Sequence, residues 1–472
     1  MTWSSEQMVE QAFSRAAGAP LVPGNRVVLL RDAAENYPAW LEAIRAAQKR
    51  IYFENYIFAD DHVGREFAEA LAERARAGVR VLVVRDWLGS RSSHRSELWN
   101  ALEESGVRTR VFNPPRWTDP TAFLTRDHRK LVCVDGRVAF VSGLCVSKSW
   151  LGDPQSHIPP WRDAGVEVEG PAVEFIERAF RRVWATTGAA LPEPAPEPFD
   201  GALPVQPGNV QLRVIATEPS NAGLFRLDQV IAVAARRTLW LTDAYFVNVG
   251  PYVQALKSAA RDGVDVRLLV PGATDIPALS PISRAGYRPL LEAGVRIFEW
   301  NGSMLHAKTS VSDGRWCRIG SSNLNLASFI ANYELDLAIE DEAFGARMEA
   351  TYLDDLQHST EIVLGRRRRL VKTEAVAHPG AAASGGSRAS AAAVGALRVA
   401  GAVGSAVRSR RYPETADRKV VRRLALTLLA LGLVAAIWPR PVGWVISAIA
   451  LWFSVVLLIK ASRKSSSSDP KD

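Results

Sequence analysis

The chain has 472 residues, 47% of them hydrophobic and 14 of them Trp, which describes a folded protein of two or three domains and excludes a disordered one. Net charge is +8 with a pI near 9.5, so an anionic partner is expected, either nucleic acid or an acidic membrane surface. Three cysteines (Cys133, Cys145, Cys317) without C-x-x-C spacing exclude a disulfide framework and a zinc site, and suit a reduced compartment.

Residues 1–21 form an N-terminal segment in which Glu6 and Glu10 interrupt the apolar positions, unlike a signal peptide. A first unit is expected over 22–188. Arg50 to Tyr56 reads as a strand, 63–77 as a helix stopped by Gly78, and Val79 to Val84 as a buried parallel strand. A helix closing near Gly106 and a strand at Val107–Phe112 follow. Residues 189–208 hold Pro192, Pro194, Pro196, Pro198, Pro204 and Pro207 and read as a stiff connector.

The order then repeats over 209–370. A strand is expected at Thr238–Phe246, a helix at 252–262 before Gly263, and a strand at Val264–Val270. A helix at 282–293 before Gly294 and a strand at Val295–Trp300 complete the set. Phe58 matches Phe246, Gly78 matches Gly263 and Gly106 matches Gly294, which marks an internal duplication. Two α/β/α lobes related by a pseudo-two-fold axis are expected, with a site at their interface.

Residues 371–417 are Ala-, Gly- and Ser-rich and read as a linker, 418–464 as a membrane hairpin, and 465–472 as a polar tail. Leu424–Trp438 and Val442–Ile459 are uncharged runs separated by Pro439-Arg440-Pro441. The second reaches spanning length, and the first does so if the Arg residues at its end snorkel. Arg418, Lys419, Arg422, Arg423, Lys460, Arg463 and Lys464 flank the pair, so both ends and the lobes are expected on the cytoplasmic side. Ala- and Arg-rich usage without an organelle signal suggests a bacterial inner membrane.

One short motif occurs twice. His128-Arg129-Lys130 is followed by Asp135 and Ser142-Gly143; His306-Ala307-Lys308 is followed by Asp313 and Gly320-Ser321-Ser322-Asn323. Each copy is H-x-K-x4-D, and the histidines stand 178 positions apart (306 − 128). Positions i and i+2 of a strand share a face, so each His and its Lys should point into one cavity. Two imidazoles can serve as nucleophile and general acid, and two ammoniums can hold phosphate oxygens. Asp135 and Asp313 belong to the motif, yet each precedes a Gly, and Asp-Gly is a turn signal. Glu54 and Tyr56 either line the site or pack within their strand. With no metal constellation and no nucleotide loop, no cofactor or metal is expected.

The doubled motif resembles the phospholipase D superfamily. Gly24-Asn25-Arg26-Val27-Val28, Phe53-Glu54-Asn55-Tyr56, Trp161-Arg162-Asp163 and Asn332-Tyr333-Glu334 extend the resemblance to bacterial cardiolipin synthases over roughly residues 22 to 370. The resemblance implies His128 as nucleophile and His306 as general acid, with Lys130 and Lys308 on the phosphate. Asn323, Ser321 and Ser142 are implied substrate contacts. Glu334 is the implied acidic partner in the second copy, and Asp163 its counterpart in the first. The first copy departs from the pattern: Ser142 stands where Gly is common, and Cys145 where Asn is expected, so that phosphate contact is either absent or supplied by Ser147.

The implied activity is phosphatidyl transfer: two phosphatidylglycerol molecules, or phosphatidylglycerol with another phospholipid, give cardiolipin through a phosphatidyl-histidine. A phospholipase D releasing phosphatidic acid is the alternative. A nuclease or a non-catalytic lipid binder stands further back, since a membrane hairpin does not suit nucleic acid. The oligomeric state is left open.

Overall fold

A computed structural model describes residues 5–115, 125–154, 158–192, 206–219, 221–277, 279–365, 370–372 and 451–452. Residues 1–114 and 124–397 make one compact unit; residues 115–123 and 398–472 make a second, with described residues only at Pro115, Leu451 and Trp452. The expected hairpin, apart from Leu451 and Trp452, therefore lies outside the described residues, as does nearly all of the 371–417 linker. Among the described residues no helix is long and apolar enough to cross a membrane.

Lobe 1 contains β1 (Val22–Arg31), β2 (Arg50–Asn55), β3 (Arg80–Asp86), β4 (Arg108–Phe112), β5 (Lys130–Val134), β6 (Val138–Ser142) and β7 (Ala164–Glu169). Lobe 2 contains β8 (Val210–Thr217), β9 (Thr238–Thr242), β10 (Asp265–Pro271), β11 (Arg296–Trp300), β12 (Thr309–Ser312), β13 (Trp316–Gly320) and β14 (Glu334–Glu340). Two further strands, β15 (Ser359–Leu364) and β16 (Leu370–Lys372), extend its edge. The spatial order is β1-β7-β6-β5-β2-β3-β4 in one lobe and β8-β14-β13-β12-β9-β10-β11-β15-β16 in the other. The first seven strands of each lobe correspond one to one, so the duplication is a duplication of topology.

The lobes join where β1 pairs antiparallel with β8, over a short irregular stretch. Strand β3, expected to be of the parallel type, pairs in parallel with β2 and β4, and β9, β10 and β11 repeat that arrangement in lobe 2. Strand β3 is buried on both faces from Val81 onward, as a continuous apolar run requires. Helices Asp32–Ala46 and His62–Arg76 cover one face of lobe 1 through Trp40 and Phe67. Helices Ala172–Thr186 and Glu342–Gln357 both enter a single apolar core shared by β1, β8 and β14. Gly78 and Gly263 end their helices with φ of +88° and +92°, a conformation glycine adopts without steric cost.

Two local expectations are corrected. The helix expected at 282–293 is two short helices, Leu279–Ala285 and Tyr287–Leu291, parted at Gly286. The strand expected to reach Phe246 stops at Thr242, because Asp243 turns its carboxylate onto the backbone N–H groups of Tyr245 and Leu324. The N-terminal helix Ser5–Ala17 precedes lobe 1 in sequence but packs on lobe 2. Ala17 and Ala19 join Leu224 and Leu227, and Arg213, fully buried, pairs with Glu10 and Glu340.

Arg162 fastens the lobes from within. Its Nε donates to Asp355 (2.7 Å) and its Nη1 to Asp32 (2.9 Å), while its backbone N–H donates to Met304 (2.9 Å). Removing one member of a buried ion pair strands the other charge. Arg162→Ala should lower unfolding stability by about 3 kcal/mol, read by chemical denaturation. A loss under about 0.5 kcal/mol, the size expected of an ordinary surface substitution, would show that the clamp contributes little.

Candidate active site

Both motif histidines sit just before their strands, on segments that bridge to the opposite lobe. Asp127 forms a parallel bridge with Tyr333, and His128 N–H donates to the Tyr333 carbonyl (2.9 Å). Leu305 bridges Arg162, and His306 N–H donates to the Arg162 carbonyl (2.7 Å). The residues that directly follow Tyr333 and Arg162 are Glu334, at the start of β14, and Asp163, just before β7. Each carboxylate is thereby delivered to the histidine of the other lobe.

The crossing is a correction to the assignment by copy. His128 Nδ1 lies 2.9 Å from Glu334 Oε2 and 3.1 Å from the Ser321 carbonyl; His306 Nδ1 lies 2.8 Å from Asp163 Oδ2. Both partners of His128 Nδ1 only accept, so that nitrogen carries the proton and Nε2 the lone pair; His306 Nδ1 also lies 2.9 Å from the donor Lys308 Nζ, and there it is the Asp163 carboxylate that favours the proton on Nδ1. Such an orienting contact fixes tautomer and ring direction together.

Burial dominates the titration of this cluster. It pushes His128 down to about 4, against the pull of Glu334 and with further help from Lys130. It pushes His306 down to about 3, reinforced by Lys308 and opposed by Asp163. Both shifts favour the neutral imidazole at neutral pH. Burial also lowers Lys308 to about 8, with Asp163 opposing and Lys130 reinforcing. Burial disfavours the ionised forms of Glu334 and Asp163, yet their histidines and the nearby lysines hold both below the usual carboxylate range. Lys308 acts on His128 and Lys130 acts on His306, so the two half-sites share one electrostatic field.

The pseudo-symmetry extends to the rings around the histidines. Tyr56 stands edge-on to His128 at 4.9 Å with Lys130 Nζ 5.3 Å from its centroid; Tyr245 stands 5.8 Å from His306 with Lys308 Nζ at 5.8 Å. Tyr56 thus lines the site. Glu54 instead lies against Asp127, and burial followed by that neighbour raises its carboxyl well above the ordinary range.

Other expected residues are placed differently. Asp135 accepts from the backbone N–H groups of Gln48, Lys49 and Arg50 at 2.7–2.8 Å. Asp313 does the same with Arg236, Arg237 and Thr238 at 2.7–2.9 Å. Both have positive φ (56° and 53°) and follow the far ends of β5 and β12, roughly 16 Å along the strand from the lysines. They close turns rather than face the histidines. Ser321 gives its hydroxyl to Glu334 (2.6 Å), and the Ser142 hydroxyl accepts from Leu144 N–H (3.1 Å). Ser147, the expected alternative to Cys145, donates its hydroxyl to Asp61 and caps a helical turn.

Asn323 is buried with Oδ1 unpartnered among the described residues. The equivalent Cys145 is buried within the fields of both lysines, and burial raises its thiol. All three cysteines are free and buried. Among the described residues no three His, Cys, Asp or Glu side chains cluster as metal ligands. Two participants escaped the sequence. Arg129, between the motif residues and fully buried, bonds the carbonyls of Glu334 (3.0 Å), Ala179 and Thr217. Trp150 donates its indole N–H to Asp163 Oδ2 (2.8 Å). The alternation rule could have flagged Arg129 as pointing away from the cavity; nothing in the motif spacing points to Trp150.

Duplicated α/β lobes with a His-Lys pair from each at one buried site are the architecture of a phospholipase D-like protein. A family model described as "Cardiolipin synthase, PLD-like domain" matches residues 40–184 and 229–356, once per lobe. Cardiolipin synthase A of Pseudomonas fluorescens is 32% identical over 75% of this chain and 73% of its own length. The cardiolipin synthase of Halalkalibacterium halodurans is 30% identical over 76% of this chain and 71% of its own. The chain belongs to the phospholipase D-like cardiolipin synthase family. The fold is shared with the crystal structure of phosphatidylserine synthase from Haemophilus influenzae (TM-score 0.56, 16% identity, covering 75% of this chain and 91% of that one).

Two outcomes follow. Asp135→Ala and Asp313→Ala should each reduce stability by about 1 kcal/mol while kcat stays within threefold; a loss of kcat above a hundredfold with stability intact would return them to the chemistry. The second concerns pH. Above about 8 Lys308 loses its proton and its attraction for phosphate, so kcat/KM should fall on the alkaline side. In Lys308→Arg the guanidinium stays charged, and that limb should move up or vanish; an unmoved limb excludes Lys308 as its origin.

Proposed function

We propose that this protein is a phosphatidyltransferase of cardiolipin synthase type. Phosphatidylglycerol is the donor, and the free hydroxyl of a second phosphatidylglycerol, or of another phospholipid, is the acceptor. The observation that carries the reading is the pair of buried imidazoles, each with Nδ1 held by a carboxylate of the other lobe and Nε2 left to react. The family relationship supplies the substrate class.

In this reading Lys130, Lys308 and the Asn323 side chain hold the phosphodiester oxygens. Its negative charge raises the pKa of a neighbouring imidazole, so His306 takes up a proton as substrate binds. His128 Nε2 attacks phosphorus; the P–O bond to glycerol breaks, and His306 Nε2–H protonates that oxygen. The incoming alcohol then gives its proton to His306 and attacks phosphorus, and the P–N bond to His128 breaks. Each imidazolium is stabilised by its cross-lobe carboxylate. No metal or other cofactor takes part.

The runs Leu424–Trp438 and Val442–Ile459 are read as a hairpin that holds the lobes at the cytoplasmic face of a bacterial membrane. Retention in the pellet after alkaline-carbonate extraction is the expected outcome; release into the supernatant contradicts it.

Purified protein in phosphatidylglycerol vesicles should release glycerol and form cardiolipin, with EDTA without effect. His128→Ala and His306→Ala should each lower turnover at least about a thousandfold. Rapid quenching with labelled lipid should place label on the peptide containing His128. Phosphatidic acid as the sole product would make the protein a hydrolase, and label on the His306 peptide would reverse the two roles.

A further inference from the structure

The two half-sites differ in how the orienting carboxylate is itself held. In lobe 2, Ser321 Oγ–H donates to Glu334 Oε2 (2.6 Å), the same oxygen that accepts from His128. The motif offset of 178 (306 − 128) maps Ser321 onto Gly143. Gly143 has no hydroxyl to offer. It has no room for one either: a Cβ there would stand 2.2 Å from Asp163 Oδ1. The Asp163 carboxylate thus occupies the space that a serine would need.

The missing donor comes from elsewhere in the chain. Trp150 Nε1–H donates to Asp163 Oδ2 at 2.8 Å, the same oxygen that accepts from His306 Nδ1. Asp163 Oδ1 accepts from the Ala164 N–H (2.8 Å). Both oxygens of this fully buried carboxylate are therefore engaged. Trp150 is itself buried and lies edge-on to His306, with ring centroids 5.2 Å apart at 87°. Trp161 packs against Trp150 at 4.6 Å and faces His306 at 5.8 Å. This packing holds the indole beside the carboxylate.

We infer that Trp150 is a positioning residue for the reaction: through Asp163 it sets the orientation and basicity of His306, as Ser321 does for His128 through Glu334. The inference rests on the reading of His306 as the acid–base group. An N–H donor drains negative charge from the carboxylate oxygen, so Asp163 holds the His306 imidazolium less tightly than a bare carboxylate would. His306 remains acidic enough to protonate the leaving oxygen. Without the indole N–H the carboxylate is more basic and freer to rotate, so the His306 proton is held more tightly and aimed less well.

The test is kinetic and uses the full-length protein on phosphatidylglycerol vesicles. Trp150→Phe should lower kcat about tenfold with KM within twofold, and the kcat–pH limb belonging to His306 should move to higher pH. In an Asp163→Asn background the same change should have less than a twofold further effect, because Trp150 acts only through Asp163. Replacing Trp150 by β-(3-benzothienyl)alanine keeps the fused rings and removes only the N–H, and should reproduce Trp150→Phe if the phenyl ring fails to support folding. A wild-type kcat and unmoved limb in either variant overturns the proposal, as does a full tenfold loss on top of Asp163→Asn. His306→Ala is measured alongside. If it keeps its turnover, the acid–base reading fails; if it is inactive while Trp150→Phe behaves as wild type, only the role of Trp150 fails.

Discussion

Everything at this site depends on the hydrogen bond that each histidine makes to a carboxylate from the opposite lobe. Two imidazoles, two ammoniums and two carboxylates are taken out of water in one place, which is unfavourable unless each charge meets its complement. Neither lobe can satisfy its own histidine, because the segment before β7 faces 304–306 and the start of β14 faces 126–128. Forming the site and closing the lobe interface are thus one event. The Arg162 clamp, the β1–β8 pairing and the core shared by helices Ala172–Thr186 and Glu342–Gln357 all hold that interface shut.

Burial also explains why both imidazoles favour the neutral form in a field of lysines. A neutral Nε2 is what nucleophilic attack requires. In the proposed mechanism the partner's proton arrives with an anionic substrate, so the phosphodiester itself helps to create the acid that cleaves it. A phospholipid phosphodiester carries one such charge.

Much of this was legible in the chain. The doubled H-x-K-x4-D located both His–Lys pairs, and strands alternating with helices stopped at Gly78, Gly106, Gly263 and Gly294 revealed the duplication. What was not legible is what depends on contacts between distant segments. Counting from each histidine pairs Glu334 with His306 and Asp163 with His128; only the interface shows the exchange. Asp135 and Asp313 share the motif with the reactive residues, but a strand's length separates them, and the Asp-Gly turn signal was the truer guide. Ser321 reads as a ligand contact from its place beside Asn323, whereas its hydroxyl faces a carboxylate. Trp150 carries no signal, because its role exists only where Gly143 lets Asp163 approach.

The most direct test of the crossed arrangement is the low-field Nδ1–H resonance of each histidine in protein labelled with 15N-histidine. His128→Asn and His306→Asn assign the two signals. Glu334→Gln should then shift or remove the His128 signal and leave that of His306, with Asp163→Asn doing the reverse. Loss of the His306 signal in Glu334→Gln would mean that each lobe serves its own histidine and would contradict the account.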